Sequence, residues 1–204
     1  KTFFFFRYAI IKQTIAEKGA KMYPEAYINY LAHFHGDRDY FECHEVLEEY
    51  WKNHPQHPQR KTWVGLIQVA AALYHQRRGN RNGALKLYSA SLGNLDEDQL
   101  RKLGIEAGRF LLLIEQRRDG LAQNPGMPYS DIDIPIADAM LERLCSLRCA
   151  ELGFGWMQPS DLGNRWLVDK HKLRDRAGVI EERERERNRR AAEAAANQNS
   201  SRIR

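Results

Sequence analysis

Cysteine, proline and long apolar runs are all scarce in this chain, and each scarcity removes a class of protein. Only three cysteines occur in 204 residues, Cys43, Cys145 and Cys149, and no two form a CxxC pair. An odd number without such a pair argues against a disulfide framework and for reduced thiols, the state expected of a cytoplasmic protein. With 7 prolines and 14 glycines the chain is neither collagen-like nor proline-rich. No uninterrupted apolar run reaches the roughly 18 residues of a membrane-spanning helix, so no membrane partner is expected. Neither a glycine-rich phosphate loop nor a GxSxG elbow is present, which leaves two large enzyme classes without a foothold. What is present is 43% hydrophobic and 29% charged residues, enough to bury the core of one domain.

The net charge of +5 invites a nucleic-acid reading, but its distribution opposes one. Residues 165–204 carry a net of +5 and residues 1–21 a net of +4, leaving −4 on the stretch between them. A domain that grips a phosphate backbone carries its basic surplus on its folded part. Nucleic acid is therefore not an expected partner of the core. The ends read as appendages. Residues 1–21 close on Glu17-Lys18-Gly19-Ala20-Lys21 before Met22, codons for which can spell a ribosome-binding sequence, so this stretch is expected to be leader or non-native extension. At the other end EERERERNRR, residues 181–190, pairs charges but offers no apolar stripe to bury. The expected division is a core over 22–150, then a linker and charged tail over 151–204, with Gly153-Phe154-Gly155-Trp156 and Pro159 as the linker.

Between Tyr23 and Ala150 apolar residues recur every three or four positions, never every two, which predicts an all-α fold. Pro24 suits a first helical turn and Gly36 a stop. Asp39 is an N-cap with Glu42 at the capping-box position, and the second helix runs to about Asn53 before a proline-broken loop. Further helices are expected from Lys61 to about Arg78, from Asn82, from Ile105 to Arg118 and from Ile136 to Ala150. Gly36-Asp37-Arg38-Asp39 reappears as Gly79-Asn80-Arg81-Asn82. If glycine ends one helix left-handed and Asp or Asn caps the next three residues on, the chain makes one tight hairpin twice. The expectation is a compact array of about six helices containing two similar helix-turn-helix hairpins.

On the second helix Tyr40, Phe41, His44, Leu47, Glu48 and Trp51 share a face. A carboxylate on an apolar stripe needs a partner, a hydrogen bond or a metal. The third helix offers Gln68 and His75 with alanines between them, and two opposed helices would enclose His44, Glu48, Gln68 and His75. Three readings fit. A structural network could hold the helices in register. His44, Glu48 and His75 could ligate one divalent ion, Zn, Mn or Fe, inside a pocket walled by Phe41, Trp51 and Gln68. Or, without metal, Glu48 could orient His44 as a general base. Glu45 and Glu49 read as ordinary solvated helix charge.

The stretches FHGDRDYFECHEVLEEYWK and GLIQVAAALYHQRRGNRNGALKLY resemble a bacterial and archaeal family known as domain of unknown function 309. The family motif His-x-x-x-Glu-x-x-Trp/Tyr falls here on His44, Glu48 and Trp51, and the likeness covers about residues 22–120. It implies a helical fold, no assigned activity, and a metal at the His/Glu motif. The functional expectation is a cytoplasmic helical protein whose buried His/Glu/Gln/His pocket takes a divalent metal and a small molecule. The alternative is a non-catalytic helical-hairpin module that docks a protein partner and uses the cluster structurally.

Overall fold

In the computed structural model, residues 23–173 are described; the leader and most of the charged tail assigned above lie outside them. The chain forms two compact units that divide after Val168, and of the second only residues 169–173 are described. Eight helices are found among the described residues: α1 (Glu25–His35), α2 (Tyr40–Asn53), α3 (Arg60–Arg77), α4 (Arg81–Asn94), α5 (Glu97–Lys102), α6 (Ala107–Gln123), α7 (Ala139–Leu152) and α8 (Arg165–Leu173). No strand accompanies them, only one isolated bridge between Ile105 and Ile136. The fold is all-α.

Helix α3 is the hub. It packs on α2 and on α4, while α1 packs on α2 and α7, and α6 closes over α4 and α5. Its sequence is apolar nearly all round, as a central helix requires, with Trp63, Leu66, Val69 and Leu73 fully buried. The core is rich in tyrosine, and buried hydroxyls find main-chain acceptors. Tyr27 donates to the Leu103 oxygen and Tyr30 to the Leu66 oxygen, each at 2.9 Å, tying α1 to distant segments. Burial without these bonds would cost about 1–3 kcal/mol per hydroxyl.

The two hairpins are alike in sequence and different in geometry. Asp39 caps α2 as expected, accepting from the Glu42 amide at 3.0 Å, but Gly36 has φ −88° and the left-handed residue is Arg38, at φ 57°. In the second turn Gly79 is left-handed at φ 73°, and the cap is Asn80, not Asn82, accepting from the Gly83 amide at 3.0 Å. Gly36 is needed for close approach instead: a Cβ there would overlap the Phe154 ring.

That ring belongs to the stretch read from sequence as a linker. Residues 154–167 fall within the first unit and make contacts inside it. Trp156 lies against the core, the Gln158 amide donates to the His35 oxygen at 3.0 Å, and the Leu167 oxygen accepts from Arg77 at 2.7 Å. Glycines and a proline here serve a fitted strap rather than a free tether.

Candidate functional site

Helix α2 starts at its Asp39 cap, so the α-helical repeat places positions 44, 45 and 48 together on its outer flank. His44 Nδ1 stands 3.2 Å from Glu45 Oε1 and 4.0 Å from Glu48 Oε2. One ligand atom from each of the three residues lies within 4.8 Å of the others, and this is the only such His/Cys/Asp/Glu group among the described residues. The side chains of His44, Glu45 and Glu48 are 35%, 37% and 33% exposed, so the cluster is open to water, not buried as its apolar neighbours suggested. Lys52, one turn on, approaches Glu48 Oε2 to 3.3 Å.

The two residues expected to face this cluster from α3 are engaged elsewhere. His75 is not a member of the group; its Nδ1 accepts from Asn80 Nδ2 at 2.8 Å, in the turn that starts α4. Burial first, and the nearby Arg78 charge second, push the His75 imidazole below its ordinary range. Gln68 accepts from Asn94 Nδ2 at 3.0 Å and so links α3 to α4 rather than to α2. The helical phase explains both outcomes. A helix packed between two neighbours points residues 68 and 75 toward the second of them. Glu45, set aside from sequence as ordinary charge, is the residue that joins His44 and Glu48. Phe41 and Trp51, expected as pocket walls, are both half-buried: Phe41 meets the Tyr74 ring at 6.1 Å, and Arg60 lies over Trp51 at 4.2 Å.

The buried polar network that the sequence placed on α2 and α3 exists at the other end of these helices, built from different residues. Arg38 is 2% exposed and donates to four oxygens: Gln158 at 2.6 Å, Phe34 at 3.1 Å, Ile132 at 3.3 Å and Asp133 Oδ1 at 2.7 Å. The Asp131 carboxylate accepts from Tyr40, Tyr129 and Ser160. The His35 ring beside Asp133, together with Arg38, holds the Asp133 carboxyl down at about 2 against the opposing effect of burial. Burial raises Asp131, yet the hydrogen bonds from Ser160 and Tyr129 bring it below the usual carboxylate range. A second arginine, Arg117 of α6, donates to Gln76 and to the Ser130 oxygen and hydroxyl. Between α6 and this loop opens a cleft of about 380 Å³ whose lining includes Arg109, Gln116, Met127 and Asp133. Arg38 was visible in sequence only as part of the repeated turn, read there for its glycine and its cap. Arg77 and Arg117 carried no local signal.

The thiols are quiet. Cys43, Cys145 and Cys149 are free and buried, and burial raises all three, Cys149 to about 12. None is a nucleophile at neutral pH.

Antiparallel helical hairpins around a central helix, with an open His/Glu cluster on one flank, define a small all-α protein with a solvent-facing donor set. The family described as Domain of unknown function (DUF309) matches residues 27–87, which span α1 to α3 and the start of α4. The chain is also 47% identical over 171 residues, 83% of its length, to a Bacillus subtilis (strain 168) protein titled "Uncharacterized protein YpuF", 97% of which is covered. It belongs to the DUF309 family. No solved structure matches the chain significantly.

Proposed function

We propose that this protein binds one divalent metal ion on the outer flank of α2, through His44, Glu45 and Glu48, and works in the cytoplasm. The observation that carries the reading is the mutual reach of the three ligand atoms, within 4.8 Å, on one rigid helix. One imidazole nitrogen and two carboxylates make a borderline-to-hard donor set, suited to Zn²⁺, Mn²⁺ or Fe²⁺. Three protein ligands at a half-exposed surface leave the remaining coordination positions to water or to a bound molecule. Three buried free thiols support the reducing compartment. His75 would stand outside the first coordination sphere.

The test is a competition titration of the full chain against a chromophoric chelator with Zn²⁺ and Mn²⁺. The wild type should bind one equivalent, and His44→Ala and Glu48→Gln should each weaken that binding by at least tenfold. Binding left unchanged by both substitutions would end the proposal.

A further inference from the structure

His35 poses the largest unanswered question in the structure. The side chain closes α1 at 1% exposure, and neither ring nitrogen has a hydrogen-bond partner. Buried polar groups without partners are rare and call for an explanation. Asp133 Oδ1 lies 3.6 Å from Nδ1 and already accepts from Arg38 at 2.7 Å. What seals the imidazole from water is the strap, residues 153–160: the Trp156 ring lies over it with centroids 4.7 Å apart.

We propose that the segment 153–160 is a latch, seated while His35 is neutral and released when His35 takes a proton. A charged imidazolium needs water or an acceptor, and the seated latch supplies neither. Lifting Trp156 supplies water. Seating therefore disfavours protonation, and each opposes the other by the same factor. The charges facing His35 from every packed element set the balance. Asp133 in the loop before α7 and Glu142 of α7 attract a proton to it, Arg38 in the turn after α1 repels one, and burial outweighs them all, so the imidazole titrates below its ordinary range. Asp133 stays ionised well below neutral pH, since its carboxyl sits at about 2. His33, two residues earlier, is held by Asp37 at 3.2 Å and faces Phe154 rather than Trp156.

The latch is built to leave. It begins at Gly153, at φ 88°, and Gly155 follows two residues later, so the backbone there turns freely. Met157 is held at φ 57°, a conformation that costs a non-glycine residue energy, and release relieves it. One main-chain bond, from the Gln158 amide to the His35 oxygen, and one side-chain bond, from Arg38 Nε to the Gln158 oxygen, hold its centre. Its departure opens Arg38 Nε and the His35 oxygen to water and leaves the other bonds beneath in place. Arg38 keeps Phe34, Ile132 and Asp133, and Asp131 keeps Tyr40 and Tyr129. Release would free one face of Asp131 and extend the cleft it lines.

Amide hydrogen exchange on the labelled full chain, corrected for intrinsic rates, reads the latch through the Gln158 amide. From pH 7.5 to 5.5 its protection should fall by ~10-fold per pH unit once below about 6.5, the ordinary histidine value. Amides of α3 should keep theirs, and His33→Gln should leave the response intact. His35→Phe should make Gln158 protection independent of pH. Protection that is flat in the wild type, that falls together with α3, or that still falls in His35→Phe overturns the proposal. Should His35→Phe fail to fold, Trp156→Ala decides: Gln158 must then exchange fast at every pH, and pH-dependent protection in that variant overturns the latch.

Discussion

Arg77, the last residue of α3, donates to the main-chain oxygen of Arg38 at 2.8 Å and to that of Leu167 at 2.7 Å. One guanidinium thus joins the end of the central helix to the turn before α2 and to the start of α8. Its charge also lies over the Tyr40 ring, 5.0 Å from the centroid. Arg77→Ala removes both of these buried charge-assisted bonds, and the expected loss is about 3 kcal/mol in a urea titration. Arg77→Lys should recover less than half of it, because an ammonium cannot span both oxygens in the planar geometry of the fork.

Two tryptophans on neighbouring helices separate scaffold from site. Trp63 is fully buried, with Nε1 donating to His57 Nδ1 at 3.1 Å, so Trp63→Ala should cost about 3–5 kcal/mol. Trp51 shares the α2 face with Tyr40 and Leu47 but is less deeply covered. Half-buried beneath Arg60, Trp51 should lose only about 1–2 kcal/mol on truncation to alanine, by reference to full burial. Denaturant midpoints for the two variants check the order, and an equal loss at both would refute it.

Helix periodicity made the fold legible, and short-range chemistry made the caps legible. The Asp39 cap and the breaks after α2 and α3 could be read because a cap acts on an amide three residues away. Helix α5, with six residues, is too short to show a period, although its cap Asp96 is conspicuous once known. The site was harder. Period 3.6 says which α2 residues share a face, but not which neighbour that face meets or how deeply it is covered. His44 and Glu48 were placed on the correct helix and at the wrong depth. The strap was illegible for a further reason: the Gln158 amide bonds the His35 oxygen and the Trp156 ring meets the His35 ring at a tilt, contacts across more than a hundred residues that leave no pattern in local composition.

Asp133 gives the acid limb of stability a definite sign. Its carboxyl is lowered in the folded chain to about 2, through the His35 ring and Arg38. A carboxyl depressed on folding contributes stability that is complete above the ordinary value near 4 and is lost as the pH falls through 2. Because the side chain is 50% exposed, solvent screening reduces the contribution to about 1 kcal/mol. Between pH 5 and pH 2.5 the unfolding free energy of the wild type should therefore fall by more than that of Asp133→Asn. Parallel decline in the two proteins would remove Asp133 from the account.

Glu48 tests whether the α2 cluster is scaffold or site. Its partners are Lys52 at 3.3 Å and His44 at 4.0 Å, all on one helix and all in contact with water. Exposed pairs at this spacing contribute about 0.3–0.5 kcal/mol. Glu48→Gln should thus change the stability of the metal-free protein by less than about 1 kcal/mol, in either direction. A buried network across α2 and α3 would have lost more, through an unpaired partner. The metal response should change far more than the stability. Added Zn²⁺ or Mn²⁺ should raise the melting temperature of the wild type, since a ligand that binds only the folded state stabilises it by mass action. In Glu48→Gln the rise should vanish, and in Lys52→Ala it should grow, because the ammonium that competes for Glu48 is gone. A wild type indifferent to both ions, with a Glu48→Gln that melts several degrees lower, would return the cluster to the scaffold.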